Sequence, residues 1–159
     1  MALTKINFTG QGVLPHAKMP TGSVLQTVSA INTAGSEITV ATTSATDIIT
    51  LNITPTSTSN KVLVTFSGGE FGYYANGPYQ AYVDLYRDST GVMKLRHSNR
   101  ASEGNEISGG ASLVYLDSPS TTSQITYRIK VNTNTGESVL IARSDNTSRI
   151  TLTAMEIAG

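Results

Sequence analysis

Apolar and polar residues alternate with a period of two along most of this chain. The clearest stretch is Ile125–Asn132. Ile125, Tyr127, Ile129 and Val131 share one parity; Thr126, Arg128, Lys130 and Asn132 share the other. Successive strand side chains point to opposite faces, so this pattern predicts a strand with one buried face and one wet face. Lys61–Ser67 places Val62, Val64 and Phe66 inward by the same rule, and Asp47–Thr54 places Ile49, Leu51 and Ile53 inward. Further runs predict strands over Ser23–Ile31, Glu37–Thr42, Ala81–Arg87, Val92–His97, Ala111–Leu116, Ser138–Arg143 and Arg149–Ile157. Their β-branched residues suit a pleated surface. Asp88–Gly91, Asn134–Gly136 and Asp145–Ser148 read as short hairpin loops. No window carries a 3.6-residue period. The expected fold is therefore all-β, an antiparallel β-sandwich or jelly roll.

Four segments refine this picture. Ala111–Leu116 and Ser138–Arg143 are apolar on both parities, so their second face needs a cover, either an overlying loop or a subunit interface. In Arg149–Ile157 the apolar parity shifts from Ile150 and Leu152 to Met155 and Ile157, which predicts a β-bulge near Ala154. Residues 1–22 differ in kind. They hold Gly10, Gly12, Pro15, Pro20 and Gly22, and their apolar residues follow no period. Such a segment forms no core of its own. We read it as an extended N-terminal attachment arm, with 23–159 as the sandwich domain. Lys5, Ile6, Phe8, Leu14, His16 and Lys18 are its candidate contacts with a partner or a sister subunit; the alternative is an arm folded against its own domain.

At 159 residues the chain has the length of one domain. Ser and Thr make up about a quarter of it, chiefly as wet-face and turn residues. Eleven basic residues balance eleven acidic ones. A nucleic-acid binder or a polybasic membrane anchor normally shows a basic excess, so neither is expected. The arm is nevertheless basic, since no acid precedes Glu37. The absence of cysteine removes disulfides, thiolate metal sites and thiol nucleophiles. No signal-peptide core and no apolar run long enough for membrane insertion is found, so synthesis without export is the expectation.

Catalytic patterns are sparse. His16 and His97 are the whole supply of imidazole, and no Gly-x-Ser-x-Gly elbow accompanies them. Glu103 and Glu106 read as solvated acids in a polar loop rather than a paired carboxylate site. Asp88-Ser-Thr-Gly91 is one residue too long for an aspartic-protease motif. No His spacing suits a metal, and no glycine pair is followed by Lys-Ser/Thr. The chain is expected to be no enzyme and to need no cofactor or metal. One segment stands out on composition. Phe71, Tyr73, Tyr74 and Tyr79 cluster in a Gly/Pro/Asn-rich stretch read as a loop. Tyr82 and Tyr86 follow on one parity of the next strand, flanking Asp84. Such a cluster either packs at a sandwich edge or subunit interface, or contacts a ligand, a sugar or a protein surface.

Several framework segments carry a resemblance. Met1–Asn7, Pro20–Gln26, Ile53–Val64, Arg87–Thr90, Tyr115–Ser123 and Arg149–Gly159 together resemble a family of small tailed-phage virion structural proteins of marine and cyanobacterial phages, often described as tail-fibre-like. The resemblance spans nearly the whole chain except residues 68–79. It implies a virion location, a β-sandwich head that assembles with itself as a homotrimer, and an arm that attaches to other phage virion proteins. A fibre-like appendage of the tail or neck is the first reading it suggests. A capsid decoration protein and a receptor- or glycan-binding module for host adsorption remain alternatives.

Overall fold

A computed structural model describes residues 15, 18–32, 37–74, 77–101, 106–142 and 148–159, the side chains of 73–74, 77–79, 97–101 and 106–107 excepted. Ten strands run through them: β1 (Val24–Ile31), β2 (Ile38–Val40), β3 (Thr46–Ile53), β4 (Lys61–Tyr74), β5 (Gly77–Arg87), β6 (Thr90–Ala101), β7 (Glu106–Asp117), β8 (Ile125–Thr133), β9 (Val139–Ile141) and β10 (Thr151–Ile157). Each falls on one of the alternating runs. All pairings are antiparallel, and they build two sheets that face each other across one apolar core.

Sheet B has the order β3-β8-β5-β6. Sheet A is laid out as four lines, two of them interrupted. β9 and β10 lie end to end along one edge of β4, with Ile141 opposite Phe71 and Thr151 opposite Ser67. β1 and β2 lie end to end along that broken line, β1 on β10 and β2 on β9. β7 takes the other edge of β4. The two sheets thus read (β1+β2)-(β9+β10)-β4-β7 and β3-β8-β5-β6, an eight-line jelly roll. Both mix early and late strands, as jelly rolls built from Greek keys do.

The interruptions share a physical cause. β4 carries a bulge between Ser67 and Glu70, at Gly68-Gly69. Gly69 has a φ of 60°. A Cβ on it would lie 2.6 Å from the Arg149 carbonyl oxygen, and one on Gly68 would lie 2.6 Å from that of Ala111. Only glycine lets three backbones approach this closely. At this level Ala142 N–H donates to Glu70 O (2.9 Å) and Glu70 N–H donates to Ser148 Oγ (3.1 Å), holding the end of β9 and the approach to β10 against the bulge.

Four local expectations change. The described part of 71–79 is not a loop: 71–74 end β4 and 77–79 open β5, and 75–76 lie outside the described residues. Glu106 likewise opens β7, while Glu103 lies outside the described residues. Asn134–Gly136 is a crossing between sheets rather than a hairpin, because β8 and β9 do not pair. Asp145–Ser148 does not join a hairpin either, since β9 and β10 are collinear; 145–147 lie outside the described residues. Asp88-Ser89 does close a tight hairpin between β5 and β6, with Asp88 at a φ of 53°.

The expected bulge at Ala154 is absent. β10 pairs with β4 without a break, and Leu152, Ala154 and Glu156 all face inward. The apolar parity shifts because a carboxylate takes the third inward position. Nor does a loop among the described residues cover the outer face of β7: Val114 and Leu116 are 65% and 51% exposed. In β9, Leu140 is half-buried, and Ala142 just after it is buried.

Candidate functional site

The outer face of sheet B collects the polar residues that alternate with its core. In β5, Ala81, Val83 and Leu85 are buried, so Tyr82, Asp84 and Tyr86 point away from the core. β8 contributes Arg128, Lys130 and Asn132 by the same alternation. Strand register then sets charges side by side. Asp84 stands opposite Lys94 of β6 and Lys130 of β8, and Lys130 in turn stands opposite Asp47 of β3. One row therefore reads Lys94, Asp84, Lys130, Asp47, alternating in sign across four strands. Opposite charges directly across strands stabilise each other.

The contacts follow that row. Lys94 Nζ lies 3.4 Å from Asp84 Oδ2, and Lys130 Nζ lies 2.8 Å from Asp47 Oδ1. Arg128 Nη1 donates to Asp47 Oδ2 at 3.2 Å. Partial burial pushes the Asp47 carboxyl up, but its hydrogen bonds and charge attraction to Lys130 and Arg128 outweigh that and hold it below the usual range. Lys94 sits 4.9 Å above the Tyr82 ring and Lys130 5.5 Å above the Tyr86 ring, both within cation–π reach. Tyr82 donates its hydroxyl proton to Gln80 Oε1 at 3.0 Å. Tyr86 lies over Gly91, its cross-strand partner, whose missing side chain makes room for the ring.

Two clefts flank Tyr86. One, of about 570 Å3, is lined by Ala45, Tyr86, Asp88, Ser89, Arg128 and Lys130. The other, of about 290 Å3, is lined by Asp84, Tyr86, Gly91, Val92, Met93 and Lys94. Asp84 is only 6% exposed, and its Oδ1 accepts no hydrogen bond. Arg128 Nε is likewise buried and donates none. Buried polar atoms are normally paired, so two orphans on one face need an explanation.

Not all the residues singled out by the sequence meet here. Tyr82, Asp84 and Tyr86 do. Phe71 is fully buried in the core, so it drops out of the contact set. Tyr73 and Tyr74 sit on β4, in the other sheet, and Tyr79 opens β5; the side chains of all three lie outside the described residues. In the arm, Lys5, Ile6, Phe8, Leu14 and His16 also lie outside them. Lys18 is exposed, and its N–H donates to Pro15 O at 2.8 Å. Lys94, Lys130 and Arg128 complete the site, although nothing in the sequence marked them. Their meeting with Asp84 and Asp47 depends on strand pairing, which alternation does not reveal.

Two other polar clusters lie deeper and are fully engaged. Glu156 is 0% exposed. Its Oε1 accepts from Thr56 N–H (2.6 Å), the Thr56 hydroxyl (2.8 Å) and Asn60 Nδ2 (2.6 Å), and its Oε2 from Gln26 Nε2 (2.6 Å). Burial pushes this carboxyl up; the hydrogen bonds from Asn60, Gln26 and Thr56 more than offset it, and the pKa falls below the ordinary value. Asp117 of sheet A joins Arg87 and Tyr127 of sheet B. It accepts two bonds from Arg87 Nη1 (2.8 and 2.9 Å) and one from the Tyr127 hydroxyl (2.6 Å). Burial, with the hydrogen bond and charge of Asp117, pushes the Tyr127 hydroxyl far above the usual tyrosine range. Both clusters staple elements together. Among the described residues no group of three His, Cys, Asp or Glu could hold a metal, and no helix is long and apolar enough to cross a membrane.

No family model matches the chain, and no curated protein is similar to it. Solved structures do align with it. The VP2 subviral particle of infectious bursal disease virus is 14% identical over 86% of this chain and 34% of that one, with a TM-score of 0.44. The T13 viral particle of the same virus is 14% identical over 95% of this chain and 40% of that one, with a TM-score of 0.46. The PRD1 vertex protein P5 is 16% identical over 86% of this chain and 99% of that one, with a TM-score of 0.44. The chain thus spans well under half of the bursal disease virus chains and nearly all of the vertex protein.

Proposed function

We propose that this protein is a non-enzymatic structural component of a virion that assembles with copies of itself through the outer face of sheet A. The observation that carries the reading is the chemistry of that face. Strand register lines up Leu116, Leu63, Met155 and Thr27 across β7, β4, β10 and β1. Val114, Thr65, Thr153 and Ser29 form the next row. Val24 and Ile31 add exposed apolar surface at the two ends of β1, at 51% and 57%. Neither row carries a charge; among the described side chains of these strands, Lys61 at the start of β4 and Glu70 beyond the bulge bring charge to this face. The outer face of sheet B, by contrast, carries the alternating charges described above. A face whose middle rows hold only apolar and hydroxyl side chains, beside a charged one, supports reading the first as an interface and the second as a free surface.

The resemblance to small phage virion proteins supplies the finer reading: a homotrimeric, fibre-like appendage of the tail or neck, attached through residues 1–22. A single jelly roll with an arm and no repeated shaft suits a capsid decoration protein equally well. Mass measurement of the purified chain, with and without residues 1–22, tests the assembly. An oligomer that survives the deletion locates the contact on the sandwich. A monomer at every concentration, with the arm present, ends the reading. Imaging of particles lacking the protein then separates the two placements, since lost projections mean an appendage and bare or fragile heads mean decoration.

A further inference from the structure

We propose that the outer face of sheet B is a saccharide-binding site centred on Asp84 and Tyr86. The inference is independent of the assembly reading, which concerns the other sheet. It starts from the two orphans. Asp84 Oδ1 is an acceptor without a donor, and Arg128 Nε is a donor without an acceptor. They sit on adjacent strands around Tyr86: Asp84 lies two residues before it in β5, and Arg128 of β8 is its Cα partner. Each borders one of the two clefts that meet at that ring.

Both atoms are buried, so a ligand reaches them only as the Lys94 and Arg128 side chains shift; it then meets an acceptor on one side of the Tyr86 ring and a donor on the other. A metal cation fits poorly, because Lys94 and Lys130 crowd the single carboxylate. A simple anion would meet Asp84 and Asp47, and both cations nearest the larger cleft are already paired with Asp47. A neutral polyol suits both demands, since every hydroxyl is a donor and an acceptor. Its ring C–H faces also suit tyrosine, an apolar body with a polar tip. Lys94 is the movable part. Its side chain is 60% exposed, it covers the Tyr82 ring, and it holds Asp84 through a single 3.4 Å contact. Swinging it outward opens both the ring and the carboxylate without disturbing the core.

The probe is a printed array of bacterial surface saccharides, followed by titration of a captured saccharide against the full chain. The expected result is capture of at least one saccharide. Asp84→Asn weakens it by about tenfold, because a charge-assisted hydrogen bond becomes a neutral one. Lys94→Ala strengthens it, by removing the cover and the competing partner. That second variant alters an exposed side chain and does not threaten folding, and thermal unfolding checks that Asp84→Asn is folded. An empty array for both the natural chain and Lys94→Ala overturns the proposal. So does undiminished binding by folded Asp84→Asn, or a loss on Lys94→Ala, which marks mere charge attraction.

Discussion

Glu156 carries its charge into the core on four hydrogen bonds, and those bonds set how the fold responds to acid. Its folded pKa lies below the ordinary 4.5. The stabilisation is therefore complete above about pH 4.5 and is lost as pH falls through the folded value. Urea unfolding between pH 3 and 6 should show stability dropping on the acid side, with a flatter limb in Glu156→Gln. That substitution turns donors against donors and should cost about 2–3 kcal/mol at neutral pH. Tyr127 gives the opposite sign. Its folded pKa lies above the ordinary 10.0, so its contribution is full below pH 10 and is lost as pH rises further. Tyr127→Phe leaves Asp117 one donor short and should cost about 1–2 kcal/mol in urea unfolding, with a shallower alkaline decline. Neither residue was legible as a partner in sequence. Glu156 did leave a trace there, as an apparent slip in apolar parity. The slip was misread as a bulge because a buried carboxylate and a register shift produce the same pattern.

At the scale of elements, the alternation fixed where the strands lie and which residues face the core. Val62, Val64 and Phe66, and Tyr127, Ile129 and Val131, are buried as their parity demands. It could not fix pairing. Among the described strands only β5 and β6 are consecutive neighbours that hydrogen-bond; every other pair joins strands distant in sequence. Turn chemistry therefore misled at Asn134–Gly136, where the same residues serve a crossing between sheets. It misled again at 71–79, where Gly72, Gly77 and Pro78 sit within strand ends. Gly68-Gly69 is the counterpart, a turn-like pair that bends β4 within its sheet. Gly69→Ala should cost about 2 kcal/mol or more, from a left-handed backbone and a clash with the Arg149 carbonyl. Gly22, at a φ of 87° with open space around it, isolates the backbone contribution. Gly22→Ala should cost only about 1 kcal/mol. Thermal unfolding of the pair separates strain from crowding.

For the whole molecule, the two proposals assign different work to the two outer faces. Replacing Val114 with Lys and Leu116 with Glu should leave thermal stability nearly unchanged, because both side chains are exposed. Light scattering should meanwhile show the assembly falling to single chains; an oligomer that persists would place the contact elsewhere. The double-sided apolar pattern of Ala111–Leu116 announced this face, although the site on sheet B became visible only once four strands were laid side by side. The pairing of β1 with β10 has a further consequence, in time rather than space. Gln26 meets Glu156 across 130 positions of sequence, and β4 cannot fill its inner edge until β10 exists. At ordinary translation speeds the ribosome needs on the order of ten seconds to travel from β4 to β10. Through that interval a nascent chain holds the edge of Val62, Val64 and Phe66 open to misplaced strands. A copy cut short of Thr151 never closes it. The face proposed for assembly is built jointly by β1, β10, β4 and β7, so only finished chains could join.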